Sequence, residues 1–346
     1  MSTIVAKATG NWSATGTWTG DVVPGANDVA QTGAYTVTID ADITCTAIEA
    51  TSSGHFEVTA GGRTINANFV MASSYATNGG LRCTHTTGTV TLNGTISGTS
   101  GTVAVGNNGA GTLTVVGATV TAPSASSSRG INNASTGIVN ITATVSGGAN
   151  TDSHGVRNSS TGTINITGNV VSGAGSSSVG AYNAAGGTIA IDGGVTCGAG
   201  SLAYGVQNNS TGTITVTGTA VGGDTAAKYG AYNASTGTLS IDRAVGGTSV
   251  TGNGLYGANS GGVTTYKRIG SQADGVSAIG GFCKMVVDAD YNVIVVKDSA
   301  GNDVSLSNDY PAVGNVIAGV VYNRTTQTGT LQIRTGQSAG AFRSPF

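Results

Sequence analysis

Gly130-INNASTGIVNI, Gly155-VRNSSTGTINI, Gly180-AYNAAGGTIAI, Gly205-VQNNSTGTITV and Gly230-AYNASTGTLSI are five versions of one segment, each beginning 25 residues after the last. A degenerate sixth begins at Gly254, after a one-residue deletion. Five copies with no insertion between them identify a structural repeat. A second glycine recurs at 137, 162, 187, 212 and 237, and an alternating stretch follows it each time. The first apolar column there is Val139, Ile164, Ile189, Ile214 and Leu239; the second is Ile141, Ile166, Ile191, Val216 and Ile241. Alternation with period two in β-branched residues predicts a strand with one buried face. Val145, Val170, Val195, Ala220 and Val245 begin a second face, and Ile131, Val156, Ala181, Val206, Ala231 and Leu255 mark a third.

Three short strands per repeat, with no helical window between them, are too short for a βαβ unit and too compact for a propeller blade. They predict an all-β fold, a single-stranded parallel β-helix of 25-residue coils. Each coil rises by the interstrand spacing, ~4.8 Å. One inward column is polar: Asn133, Asn158, Asn183, Asn208 and Asn233. It is expected to be a structural ladder, each amide bonding its neighbours and satisfying backbone groups at a corner. Tyr182, Tyr232 and Tyr256 share an outward column with Asn132, Arg157 and Gln207. They are candidates for a contact with another subunit or with carbohydrate.

Outside the repeat the spacing loosens. Gly88-TVTL, Gly111-TLTV and Gly54-HFEV resemble the same strand, so the helix is expected to begin well before residue 130. Downstream of Thr265 the texture changes to a linker and then to a small C-terminal β domain, with a hairpin turn expected at Asp288–Asp290. The chain is thus divided into an N-terminal cap or attachment segment (1–50), the parallel β-helix (51–265, regular coils 130–260) and the C-terminal β domain (266–346).

Composition agrees with stacking. Glycine supplies 58 of 346 residues, charged residues only 9 % and hydrophobic residues 38 %. That is too apolar and too neutral for disorder, and 14 Lys+Arg form no basic stripe for nucleic acid. Like charges repeated every ~4.8 Å would repel, whereas Thr, Asn and Ile stack favourably. Cys45, Cys83, Cys197 and Cys283 lie far apart and are expected to be free thiols. No apolar run resembles a signal peptide or a membrane span, so the expected location is the cytosol.

The inventory for chemistry is small. Asp192 and Asp242 fall in one outward column two coils apart, about 10 Å by strand spacing, at or just beyond the range of an inverting carboxylate pair. They are expected to be solvated strand-end residues. His55, His85 and His154 match no metal-ligand spacing. His154 falls in the mixed column Arg129, His154, Val179, Tyr204, Tyr229, which suggests a solvated or edge position. No catalytic residue, no metal and no cofactor is expected.

The opening Asn11-Trp12-SATGT-Trp18-TGDVV-Pro24-GANDV, followed by Tyr35-TVTID, resembles the start of β-helical bacteriophage virion proteins and of some bacterial adhesin passengers. The ending Asn308-DYPAVGNVIAGVVYNRTTQTGTLQI resembles a module at the C-terminus of phage structural proteins, departing from it at Ile317, where arginine often stands. Together these cover less than a third of the chain. The resemblance implies a tail fibre, spike or head decoration, usually a homotrimer, assembled in the host cytoplasm into a virion. Implied partners are further copies of the chain, other virion proteins and host-surface glycans. A polysaccharide-degrading tailspike and a bacterial surface adhesin are the alternatives.

Overall fold

A computed structural model describes residues 1–73, 79–200, 202–223, 228–246, 254–258, 261–269 and 283–285. The chain divides into two compact units, Met1–Cys283 and Lys284–Phe346. The C-terminal β domain expected over 266–346, with its hairpin, lies outside the described residues apart from Tyr266–Ile269 and the short strand Cys283–Met285.

The first unit is a single-stranded parallel β-solenoid. Strand n of one coil pairs in parallel with strand n of the next, so neighbouring chain segments in the sheet are about one coil apart in sequence. Two sheets result. The narrow sheet is built of short strands such as Arg129–Asn133, His154–Asn158, Val179–Asn183, Tyr204–Asn208 and Tyr229–Asn233. The wide sheet carries both other strand positions and bends between them. Ile138–Ser146 and Thr213–Val221 cross the bend as one strand, whereas Gly168 and Gly193 interrupt it after Thr163–Thr167 and Thr188–Asp192. The three strand positions of each repeat therefore resolve into two sheets.

Stacked apolar columns fill the space between the sheets. Phe56, Leu81, Val105, Ile131, Val156, Ala181, Val206, Ala231 and Leu255 follow one another in register on the narrow sheet, all fully buried. Ile141, Ile166, Ile191, Val216 and Ile241 do the same on the wide sheet, and Tyr266 continues that column. At ~25 cal/mol per Å² of apolar surface removed from water, such columns are the main stabilising term.

Two expectations are corrected. Gly54-HFEV belongs to the narrow sheet, because His55–Val58 pairs with Leu81–Cys83 and so corresponds to Gly130-INN. Val245 is not in the buried column of Val145, Val170, Val195 and Ala220; Ala244 is, facing Ala220. The register slips between Val216 and Thr219, where the partner strand has one residue fewer between Ile241 and Arg243. The deletion that precedes Gly254 therefore falls at the bend, where it costs no ladder pair in the straight parts.

The ladder reaches back into residues 1–50. Thr3–Val5 pairs with Val29–Gln31, which pairs with Ile43–Ser52. Between the first two strands the chain makes 3-10 turns at Thr15–Thr17 and Thr19–Asp21, and Ala6 bridges Trp18 in the antiparallel sense. Trp12 and Trp18 meet edge to face at 4.9 Å, and Trp12 lies 6.2 Å from Phe56. Trp18 Nε1 donates to Trp12 O at 2.8 Å, which satisfies its one polar atom in a buried site.

Candidate functional site

The asparagine column is buried throughout. Each amide nitrogen donates to the carbonyl four residues on: Asn133 to Gly137 (3.0 Å), Asn158 to Gly162 (2.8 Å), Asn183 to Gly187 (2.9 Å), Asn208 to Gly212 (2.9 Å) and Asn233 to Gly237 (3.0 Å). Asn158 and Asn208 also reach the next coil, at Thr188 O (3.3 Å) and Thr238 O (3.1 Å). Amide-to-amide bonds occur at Asn107 to Asn133 (3.1 Å) and Asn183 to Asn208 (3.3 Å). The ladder thus starts one coil before the regular repeat, and its main partners are backbone carbonyls at the turn. At its other end Asn233 donates to Thr264 Oγ1 at 2.8 Å.

This ladder explains the second glycine column. A Cβ on Gly162 would stand 2.6 Å from Asn133 Nδ2 and against Gly137 O. Asparagine and glycine columns therefore specify each other. The first glycine column has a different cause. A Cβ on Gly155 would point inward, 2.5 Å from Val145 Cγ1. The inward glycine breaks strict alternation in the narrow strand, and the residue before it joins the outer face.

The outer face consequently holds more than the column Tyr182, Tyr232, Tyr256. Tyr204 and Tyr229, from the mixed column, lie among them. Tyr229 stacks on Tyr256 (4.5 Å, 6°) and on Tyr204 (5.7 Å, 9°), and Tyr232 stands 4.9 Å from Tyr204 and 5.4 Å from Tyr229. Burial pushes the Tyr204 hydroxyl up to about 12, with Tyr232 and Tyr229 adding to the effect. Rings stacked coil upon coil turn their faces to one another, and Tyr204, Tyr229, Tyr232 and Tyr256 all stay partly exposed.

One coil beyond the tyrosines the face becomes cationic. Arg157 lies over the Tyr182 ring at 5.6 Å, and Asn209 Nδ2 donates to the Tyr182 hydroxyl at 3.0 Å. Arg129 donates to Ser127 O at 3.1 Å, and burial, then Arg157, lower its pKa. His154 is not solvated, contrary to expectation: it is 3 % exposed, because Tyr182 stacks on it at 4.6 Å. Burial drives its imidazole down to about 4, Arg129 and Arg157 add to this, and Asp152, 3.4 Å from Nε2, opposes it.

The carboxylates stand apart. Asp192 is exposed and its Oδ1 accepts from Thr217 Oγ1 at 2.9 Å; Thr217 occupies the coil between it and Asp242. Among the described residues no three of His, Cys, Asp and Glu stand together as a metal site, and no helix is long and apolar enough to cross a membrane. Cys45, Cys83 and Cys197 are buried thiols outside any disulfide, and burial pushes the first two up to about 12. Comparison with protein-family models, curated proteins and solved structures finds no match.

Proposed function

We propose that this chain is a non-catalytic structural component of a bacteriophage particle: a fibre, spike or head decoration. The observation that carries this reading is the continuous backbone ladder of both sheets, locked coil to coil by buried asparagine and stacked apolar columns. Such a scaffold resists bending and holds a surface at a fixed distance, which suits assembly or attachment. The resemblance of the Asn11–Val29 region to phage virion proteins adds the particle.

The test is mass spectrometry of purified particles, followed by location of the solenoid in an electron-microscopy map. Absence from particles and presence on uninfected cells would instead make it an adhesin. For catalysis, the protein is incubated with host capsule and new reducing ends are measured. Turnover abolished by Asp192→Asn would replace the structural reading with a tailspike enzyme.

A further inference from the structure

The outer face of the narrow sheet is divided along the solenoid axis. Arg129 and Arg157 occupy its earlier coils; Tyr204, Tyr229, Tyr232 and Tyr256 occupy its later ones, with Tyr182 between. Among the described residues neither guanidinium is in an ion pair with a carboxylate; Arg129 instead donates to Ser127 O, and Arg157 lies over the Tyr182 ring. Tyr204, Tyr229, Tyr232 and Tyr256 are each partly exposed and each carries a phenol hydroxyl. A phenol oxygen is an acceptor and a guanidinium is a donor-only fork, so the two halves of the face complement each other.

We propose that this face pairs with the same face of a second copy, antiparallel about a two-fold axis between the coils of Tyr182 and Gln207. That rotation lays the coil of Arg129 on the coil of Tyr256, the coil of Arg157 on that of Tyr229 and Tyr232, and the coil of Tyr182 on that of Tyr204. Arg157 then meets the phenol oxygens of Tyr232 and its neighbour Tyr229, twice over by symmetry, which is the self-complementarity an isologous contact needs. Parallel packing about a three-fold axis through this face would bring each Arg157 against its own copies as water is excluded, which is repulsive.

The size fits a weak dimer. Five-residue strands span about 16 Å and six coils about 29 Å, so the paired faces cover about 1,000 Å² in total, near the lower bound for a specific interface. Tyrosine and arginine are the residues that carry most energy in such contacts. The pairing goes beyond the structural reading and does not depend on it, because a chain found in no particle could still dimerise.

Sedimentation of the full chain across the micromolar range tests it, with circular dichroism as the check that variants fold. A concentration-dependent monomer–dimer equilibrium is expected. Tyr232→Arg sets arginine against Arg157 at both contacts and should weaken the dimer about tenfold or more. Arg157→Asp should weaken it as well. Mixing the two variants should restore dimers, since Asp at 157 of one copy then faces Arg at 232 of the other. A monomer at every concentration, a trimer, or a dimer that ignores both substitutions would overturn the proposal. So would face variants that leave self-association unchanged but abolish retention on an acidic-polysaccharide column, which would assign the face to a glycan.

Discussion

Asn183 shows how one side chain holds two coils. It donates to Gly187 O in its own turn and to Asn208 Oδ1 in the next coil. Asn183→Leu removes both bonds, leaving Gly187 O with the Thr213 N–H alone (3.0 Å) and putting an apolar side chain against buried polar groups, so unfolding in urea should show a loss of roughly 1–3 kcal/mol. A neighbouring corner holds Ser127, Asp152, Ser177 and Leu202 in the left-handed region, with φ of 54°, 57°, 58° and 53°. Leucine is the misfit there, and its side chain is 47 % exposed. Leu202→Asn should therefore raise stability by up to about 1 kcal/mol, read as a higher melting temperature. His154 supplies a pH dependence. Its folded pKa lies below the unfolded value, so protonation favours the unfolded chain. Its contribution is complete above pH 6.5 and is lost as pH falls toward about 4. Urea titrations at pH 7 and pH 4.5 should differ less for His154→Asn than for the parent chain. The asparagine column was legible in the sequence because it repeats without exception. The buried serines Ser128, Ser153 and Ser178 recur at the same spacing. Their column changes to Ala203 and Lys228, and a ladder that ends after three rungs looks like corner variation.

At the scale of the strand, the period-two pattern located the buried columns of the wide sheet, since β-branched residues repeat there. It does not extend to the narrow strand's first residue, whose mixed column pointed to an edge. Alternation sets Tyr229 and Tyr232 on opposite faces, and only the inward Gly230 brings them together. The signal was the invariant glycine itself, which forbids a regular pleat at that position. Tyr229 touches Tyr204, Tyr232 and Tyr256, and two of those contacts are parallel stacks. Aromatic pairs contribute about 0.5–1.5 kcal/mol each beyond burial, so Tyr229→Ala should cost about 2 kcal/mol in equilibrium unfolding. Tyr182→Ala should additionally restore water to His154 and raise its pKa toward 6.5, a change visible in the imidazole proton shifts.

For the whole solenoid, each coil touches its neighbours and little else, so stability is close to a sum of coil and interface terms. In the first coil the tryptophan pair packs edge to face and sits beside Phe56. Trp18→Ala empties a fully buried site and should cost about 3–5 kcal/mol locally. Amide exchange should then rise first in the strands before Ser52 and leave the coils from Arg129 onward protected. Fold class was legible because the repeat is regular over five coils. The early coils were harder to read, because the register there steps from Val37 to Phe56 to Leu81 to Val105 at unequal intervals. The one-residue slip at Arg243 has a counterpart here: turns absorb changes in length while the ladder stays in step. The reach of this rod is accordingly a matter of counting. A gene that gained or lost one repeat's worth of codons would encode the same cross-section, longer or shorter by a single strand spacing, so the solenoid is a ruler whose length can evolve independently of its chemistry.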